Sequence, residues 1–303
     1  MLPKLEGYAA ALLGSLDPTV LATVASDFAA LERTILANAD LHATLTDTAI
    51  TPVARGQVFD DLLRGKLDEI SVRLAVYTAV EVPAQQVPHE IAEVAASVHR
   101  YQETGERTFA NLGLLASRER LSGYADALVD EITTDNFTKI EEDLFRWAHF
   151  IRNRDELRRF LTDRDAPVAE RLALTNDLLE GKVDPIALTL ARFVIEGGRP
   201  RDVAGSVDYL VDYLAQARNW RIARIHTARP LDVASRAELA DSLASLTGKS
   251  IELQIANDPE LLGGLLIEVG DLRLDATTRG RLGALHDAVS SGRLYESALN
   301  RND

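Results

Sequence analysis

Apolar residues recur through the first two-thirds of the chain at intervals of three and four. Val24, Phe28, Leu31 and Ile35 step by four, three and four, which stacks them along one face of an α-helix. Ile140, Leu144, Trp147 and Ile151 repeat that stripe 116 residues further on. Asp17-Pro18 precedes the first stripe, pairing an N-cap acceptor with the residue best suited to the first helical position. Similar periodicity predicts helices over 53–63, 70–80 and 88–101, and again over 168–179, 185–195 and 202–220. Arg64-Gly65-Lys66 and Gly197-Gly198-Arg199-Pro200 supply turns between them.

The two stretches are copies of one unit. Gly7-Tyr-Ala-Ala-Ala-Leu12 recurs as Gly123-Tyr-Ala-Asp-Ala-Leu128, and Asp61-Leu-Leu-Arg-Gly-Lys-Leu-Asp68 as Asp177-Leu-Leu-Glu-Gly-Lys-Val-Asp184, both 116 residues apart. Between them Asn38-Ala-Asp40 matches Asn153-Arg-Asp155, and Pro52-Val-Ala matches Pro167-Val-Ala, with one-residue gaps. Helical periodicity constrains core positions only. Ordered Gly, Asn, Asp and Pro landmarks therefore point to duplication rather than to two unrelated bundles.

After Trp220 the period changes from helical to alternating. Ala223, Ile225 and Thr227 alternate with Arg224 and His226 in a half-exposed strand that Pro230 ends. A helix follows with Leu239, Leu243 and Leu246 on one side, a capping box expected at Ser235-Arg-Ala-Glu238 and Gly248 closing it. Ile251, Leu253 and Ile255 form a second strand. A third runs from Leu265 to Val269, turns at Gly270-Asp271 and returns through Leu272 and Leu274. Asp275 is then expected to cap a helix carrying Leu282, Leu285 and Val289. The fold class expected is mainly α: two tandem six-helix bundles, residues 1–110 and 111–220, followed by a small α+β domain, 221–303.

Composition narrows the function. Lys and Arg number 33 against 47 Asp and Glu, a formal charge of -14, so the surface as a whole repels phosphate backbones and anionic lipid. Nucleic acid is thus not an expected partner. Cysteine is absent, which excludes disulfides and thiolate zinc sites. The apolar run from Leu74 to Val80 is broken by Glu81 and Pro83, far short of a membrane span, and the N-terminus lacks signal-peptide architecture. Association with a membrane is expected only through partners.

Active-site patterns fail when asked for their parts. Thr247-Gly-Lys-Ser250 resembles the end of a phosphate-binding loop, but Leu243 stands where the first glycine belongs and a strand follows. His89-Glu90 lacks the second histidine of a zinc-protease helix, Glu93 occupying that position. Asn136-Phe-Thr138 is a formal glycosylation acceptor without a signal peptide to give it meaning. Arg152, Arg154, Arg158 and Arg159, interleaved with Asp155 and Glu156, form either a solvated helix face or a contact for an acidic partner helix. No catalytic residue, metal site or cofactor is expected.

The stretch Asp258-Pro-Glu-Leu-Leu-Gly-Gly-Leu-Leu-Ile-Glu-Val-Gly-Asp-Leu-Arg-Leu-Asp-Ala-Thr-Thr-Arg-Gly-Arg-Leu282 resembles the signature of the ATP synthase δ subunit, called oligomycin-sensitivity-conferring protein in mitochondria. Thr227-Ala-Arg-Pro-Leu231 and Leu246-Thr-Gly-Lys-Ser-Ile-Glu-Leu253 resemble the strand-helix-strand before it, and Gly123 to Leu128 the opening of the family's six-helix domain. Residues 120 to 290 are covered by one ordinary δ subunit. The extra copy before it resembles the actinobacterial, mycobacteria-like variant, in which δ follows a membrane-anchored b-type segment. That segment is not in this chain, and Met1 is either a native start or a start within a longer fusion.

The resemblance implies a non-catalytic stator subunit. Its helical domain would hold N-terminal helices of the ATP synthase α subunits in grooves, and its C-terminal domain would grip b-type stalk subunits, at the cytoplasmic face of the bacterial plasma membrane. Tyr124 and Leu128 on the first helix of the second copy, with Leu190 and Phe193 on the fifth, are the candidate groove residues; burial in the bundle core is the other reading of each. Gly263, Gly264, Gly270, Asp275 and Arg279 match the family signature and are expected to shape a bulge, hairpin and helix cap. The extra copy is expected to act as a spacer and stalk contact. Competing readings are a free-standing helical adaptor and a hydrolase or transferase with an unrecognised site.

Overall fold

The structure is a computed structural model that describes residues 1–277 apart from Ser15, Glu106, Thr108, Asp130, Glu131, Arg164, 248–250, 258–260, Leu262, Gly270 and Asp271. Contacts divide the chain into two units, 1–215 and 216–303, so both helical copies fall within one unit up to residue 215. Copy one comprises α1 (Pro3–Leu13), α2 (Pro18–Ala37), α3 (Ala39–Thr46), α4 (Pro52–Leu63), α5 (Glu69–Glu81) and α6 (Val87–Thr104). Copy two repeats them as α7 (Leu114–Val129), α8 (Thr134–Arg152), α9 (Asp155–Thr162), α10 (Val168–Leu179), α11 (Pro185–Glu196) and α12 (Val203–Arg221).

Local chemistry starts these helices. Asp17 accepts from the Thr19 N–H with Pro18 at the first helical position, Asn38 accepts from Asp40 and Leu41, and Thr51 accepts from Ala54. Asp68 and Asp184 cap α5 and α11 in the same way, each accepting from the residue two positions on. Gly65 and Gly181 take left-handed φ of 74° and 69° in the matching turns, where a side chain would be strained. Both predicted stripes are buried along their whole length. The copies also share a polar tie, part-buried in copy one and buried in copy two: the Asp68 N–H donates to Asp27 Oδ2 at 2.9 Å, and the Asp184 N–H to Asp143 Oδ2 at 2.8 Å.

The copies are joined through α1 and α7. A Cβ on Gly7 would lie within 3.0 Å of the Arg120 carbonyl, and one on Gly123 within 3.0 Å of the Lys4 carbonyl. Residues 4 and 120 correspond, as do 7 and 123, so the seam has approximate twofold symmetry at the backbone. Tyr8 stacks on Tyr77 at 3.6 Å and Tyr124 on Phe193 at 3.7 Å between ring centroids, again at corresponding positions. Ala127 of α7 belongs to the core of the first bundle.

Side chains along the seam are not symmetric. Asp126 accepts from the hydroxyls of Tyr77, at 2.7 Å, and Tyr213, and lies 3.4 Å from Lys4 Nζ, which also reaches Glu81 at 2.6 Å. Buried Arg120, the counterpart of Lys4, instead donates to Glu6 at 2.7 Å and to the carbonyls of Gly197 at 2.8 Å and Ala110 at 3.0 Å.

The second unit holds a four-stranded sheet of order β2-β1-β3-β4, formed by β1 (Ile222–Thr227), β2 (Glu252–Asn257), β3 (Leu265–Val269) and β4 (Leu272–Asp275). β1 and β2 are parallel, Ile225 opposite Ile255, and α13 (Val233–Thr247) supplies the crossover that parallel pairing requires. β3 is antiparallel to both β1 and β4. Ala223, Ile225, Leu243, Ile267 and Val269 form its buried core, matching the alternation in the sequence. The capping box expected at Ser235 is overturned: Asp232 is the cap, accepting from the Ser235 N–H at 2.7 Å, because the helix starts a residue after Asp232 and leaves that N–H unpaired in its first turn.

Candidate docking surfaces

Tyr124 and Phe193 meet face to face, Phe109 packs edge-on to Phe193 at 5.4 Å, and Leu190 lies one turn earlier on α11. Tyr124, Leu190 and Phe193 are buried, whereas Leu128, one turn along α7, is half-buried. Burial raises the Tyr124 phenol above its ordinary range, so the hydroxyl stays neutral. Of the four sequence-predicted groove residues, Tyr124 and Phe193 meet between α7 and α11, while Leu128 and Leu190 lie one turn away on the same two helices.

Of the signature residues, Gly263 and Gly264 lead into β3 with φ of 151° and 85°, and a Cβ on Gly264 would collide with the Ala276 carbonyl. Asp275 ends β4; its carboxylate accepts from the Thr277 N–H at 3.0 Å and hydroxyl at 2.6 Å, which hold it below the usual carboxylate range. Gly270, Arg279, the Gly270-Asp271 turn, the closing Gly248 and the helix expected after Asp275 lie outside the described residues.

The basic cluster divides on inspection. Arg152 pairs with Asp208, Arg158 donates to Asp155 at 2.7 Å, and Arg154 lies over the Phe150 ring at 4.1 Å. Phe145, on the same side of α8, is 56% exposed. Sequence reasoning missed this aromatic surface; its signal was two phenylalanines placed off the buried stripe. A depression of about 600 Å³ between α1, α6 and the segment after α6 has its main cation already engaged, since Arg107 donates to the Ala10 carbonyl at 2.9 Å and to Glu196 at 3.2 Å. No metal-binding cluster occurs among the described residues, and none of their helices is long and apolar enough to cross a membrane.

Two like bundles locked backbone to backbone, with a small mixed sheet following in the chain, define a helical scaffold subunit that acts through its surfaces. Residues 121–289 match the sequence model of the family described as ATP synthase delta (OSCP) subunit. The chain is also similar to "ATP synthase subunit delta" of Frankia alni, 30% identical over 270 residues, 88% of this chain and 87% of that one. The proteins of the same name from Nocardia farcinica, 29% identical over 91% of this chain and 92% of the relative, and Salinispora arenicola, 26% identical over 90% of each, agree. The chain belongs to the ATP synthase delta (OSCP) family, and is a peripheral-stalk subunit of ATP synthase with a structural, non-catalytic part. Matches this long cannot fit within 121–303, so these relatives are similar in the first copy too.

Proposed function

We propose that this chain couples the α subunits of the catalytic head to b-type stalk subunits, on the cytoplasmic side of the membrane, and resists the torque of the rotor. In this reading the α7–α11 junction receives an α-subunit N-terminal helix, Leu128 making contact at the edge while Tyr124, Leu190 and Phe193 set the floor beneath it. The small α+β unit grips the stalk, with Gly263, Gly264, Gly270, Asp275 and Arg279 shaping its loops. Copy one serves as spacer and stalk contact.

The observation that best supports this reading is the α1–α7 seam. A torque-bearing connector has to transmit load without yielding, and at Gly7 and Gly123 the two copies meet through backbone atoms with no side chain interposed. The test is co-assembly. The purified chain should form a stable complex with the α-containing catalytic head, detected by sedimentation, and lose it when the α N-terminal segments are removed. Retained binding to the truncated head would defeat the groove assignment, and failure to bind the intact head would defeat the coupling role. Crosslinks from copy one to an α N-terminus would count against the spacer role.

A further inference from the structure

The duplication provides an internal control for the grooves of the helical unit. Helices α6 and α12 carry the same buried stripe at a constant offset of 116 residues, Val87, Ile91, Val94 and Val98 against Val203, Val207, Leu210 and Leu214. Helices α1 and α7 correspond at the same offset. The groove between α7 and α12 is filled by copy two's own side chains. Tyr213 donates its hydroxyl to Asp126, and its ring centroid lies 6.1 Å from that of Tyr209, which Arg118 covers at 5.4 Å.

In copy one the counterparts of Asp126, Tyr209 and Tyr213 are Ala10, Glu93 and Ser97. Two phenol rings and a carboxylate are replaced by a methyl group, a carboxylate and a hydroxyl. All three residues line the depression of about 600 Å³ between α1, α6 and the segment after α6. That segment adds Arg107 and Phe109 to the wall, yet the space left is of the size that small-molecule sites have.

The uncommitted groups on its wall set the chemistry. Glu6 is held by Arg120 at 2.7 Å, Glu93 by the Met1 amine at 3.1 Å, and Arg107 by the Ala10 carbonyl and Glu196. Among the described residues, the Arg100 guanidinium, the Ser97 hydroxyl and the Tyr101 phenol have no hydrogen-bond or ion-pair partner. Ala9, Ala10 and Leu13 are buried and give the cavity an apolar floor. Such a floor beside the Phe109 ring suits an aromatic body, an open guanidinium suits a carboxylate, and the free hydroxyls suit a polar substituent on the ring.

We propose that this cavity of copy one binds a small aromatic carboxylate of two rings, the rings taking the volume that Tyr209 and Tyr213 fill in copy two, Arg100 pairing with the carboxylate and Ser97 hydrogen-bonding a ring hydroxyl. Copy two has filled the corresponding groove, so the site is single. The occupant touches both copy one and the segment that leads into copy two, and its binding therefore stabilises the joint between them. The site stands apart from the α7–α11 junction and does not depend on the coupling role.

The test uses the full chain and a hydroxybiphenyl carboxylate with its two polar groups at opposite ends. Two comparators accompany it: the same scaffold with an aminomethyl group for the carboxylate, and the bicyclohexyl analogue in which both rings are saturated. Isothermal titration calorimetry should show saturable one-to-one binding of sub-millimolar affinity, as expected of a two-ring ligand, and at least fivefold weaker binding of both comparators. The variant carrying Ala10→Asp and Ser97→Tyr installs the copy-two filling; it should lose at least tenfold in affinity without a fall in Tm, because the new ring enters open space. Arg100→Gln, which installs the counterpart Gln216, should lose about fivefold for the carboxylate, leave the amine unchanged and keep the parent's helical circular dichroism, Arg100 being exposed. Absence of saturable binding, equal binding of the amine, or undiminished binding by either variant would each overturn the proposal. A lower Tm for the filled variant would show that the space is not open and would count against it equally. Co-assembly with the catalytic head reports separately on the coupling role.

Discussion

Replacing Gly7 or Gly123 with alanine tests the seam through the sign of the effect. Within a helix free of close neighbours, Gly→Ala stabilises by about 0.8–1.0 kcal/mol, since it removes backbone freedom from the unfolded chain. Here the new methyl group enters backbone of the facing helix. Besides the carbonyl oxygens, the carbonyl carbons of Arg120 and Lys4 would stand 2.8 and 2.7 Å from it, inside the 3.4 Å at which ordinary contact begins. Backbone cannot rotate away, so α1 and α7 have to part by roughly an ångström, weakening dispersion contact along the seam. Overpacking of this kind costs typically 1–3 kcal/mol, and the absence of a flexible neighbour puts it at the upper end. Net of the helical gain, each variant should lose about 2 kcal/mol. For a unit of this size that is a fall of about 4–8 °C in Tm, read by circular dichroism. The double variant should lose less than the sum, because one separation relieves both clashes. A rise in Tm for either single variant, or strict additivity, would refute the described packing of α1 on α7.

Arg120→Met removes a buried guanidinium and strands Glu6 and the Gly197 and Ala110 carbonyls; a loss of about 3 kcal/mol is expected, and a urea midpoint equal to the parent's would contradict it. Tyr77 and Tyr213 are held neutral first by burial and then by the Asp126 charge, so their pKa lies above the ordinary 10.0. The unfolded chain therefore releases these protons first, and stability present below about pH 10 should decline as pH rises further. A Tyr77→Phe, Tyr213→Phe variant should show a shallower decline of Tm between about pH 9.5 and 11, whereas an unchanged slope would rule these groups out. At the α7–α11 junction, Leu128→Arg should weaken binding of an α-subunit N-terminal peptide by about tenfold with little change in Tm, as expected of an edge residue in a contact patch. Phe193→Ala, by contrast, should cost about 3–5 kcal/mol of stability, as expected of a core ring.

Periodicity exposed the long helices well because four or more apolar residues spaced by threes and fours share a face only when the backbone is helical. Predicted spans 168–179 and 185–195 meet α10 (Val168–Leu179) and α11 (Pro185–Glu196) within a residue. The short helices α3 and α9 were not marked individually, each having a single fully buried residue, Leu45 or Leu161, and so no stripe. Alternation located β1 to β4 but not their order, which depends on pairing between residues distant in sequence. The seam was equally hidden. Gly7-Tyr-Ala and Gly123-Tyr-Ala are visible as a repeat, yet small residues in one helix acquire meaning only when the facing backbone is known. Residues chosen for an exposed groove came from the same apolar stripes that build the core, and the sequence holds no signal separating Leu128 from Phe193.

The seam also bears on what duplication gives this chain. Two equal copies joined about a twofold axis would present equal faces, and any partner of one would find a second site on the other. The backbone contacts keep that equality at residues 4, 7, 120 and 123, where the closeness of approach leaves no room for change. One layer out it is gone: Lys4 faces two carboxylates while Arg120 faces one carboxylate and two carbonyls. At the surface the difference is larger still, Phe145, Arg146, Phe150 and Arg154 standing against Ala29, Ala30, Thr34 and Ala39. Constraint thus falls with distance from the shared axis, and with it the freedom to specialise grows. A connector that must meet different neighbours with one stiff body needs that gradient, since specificity can change on the outer faces without loosening the contact that carries load.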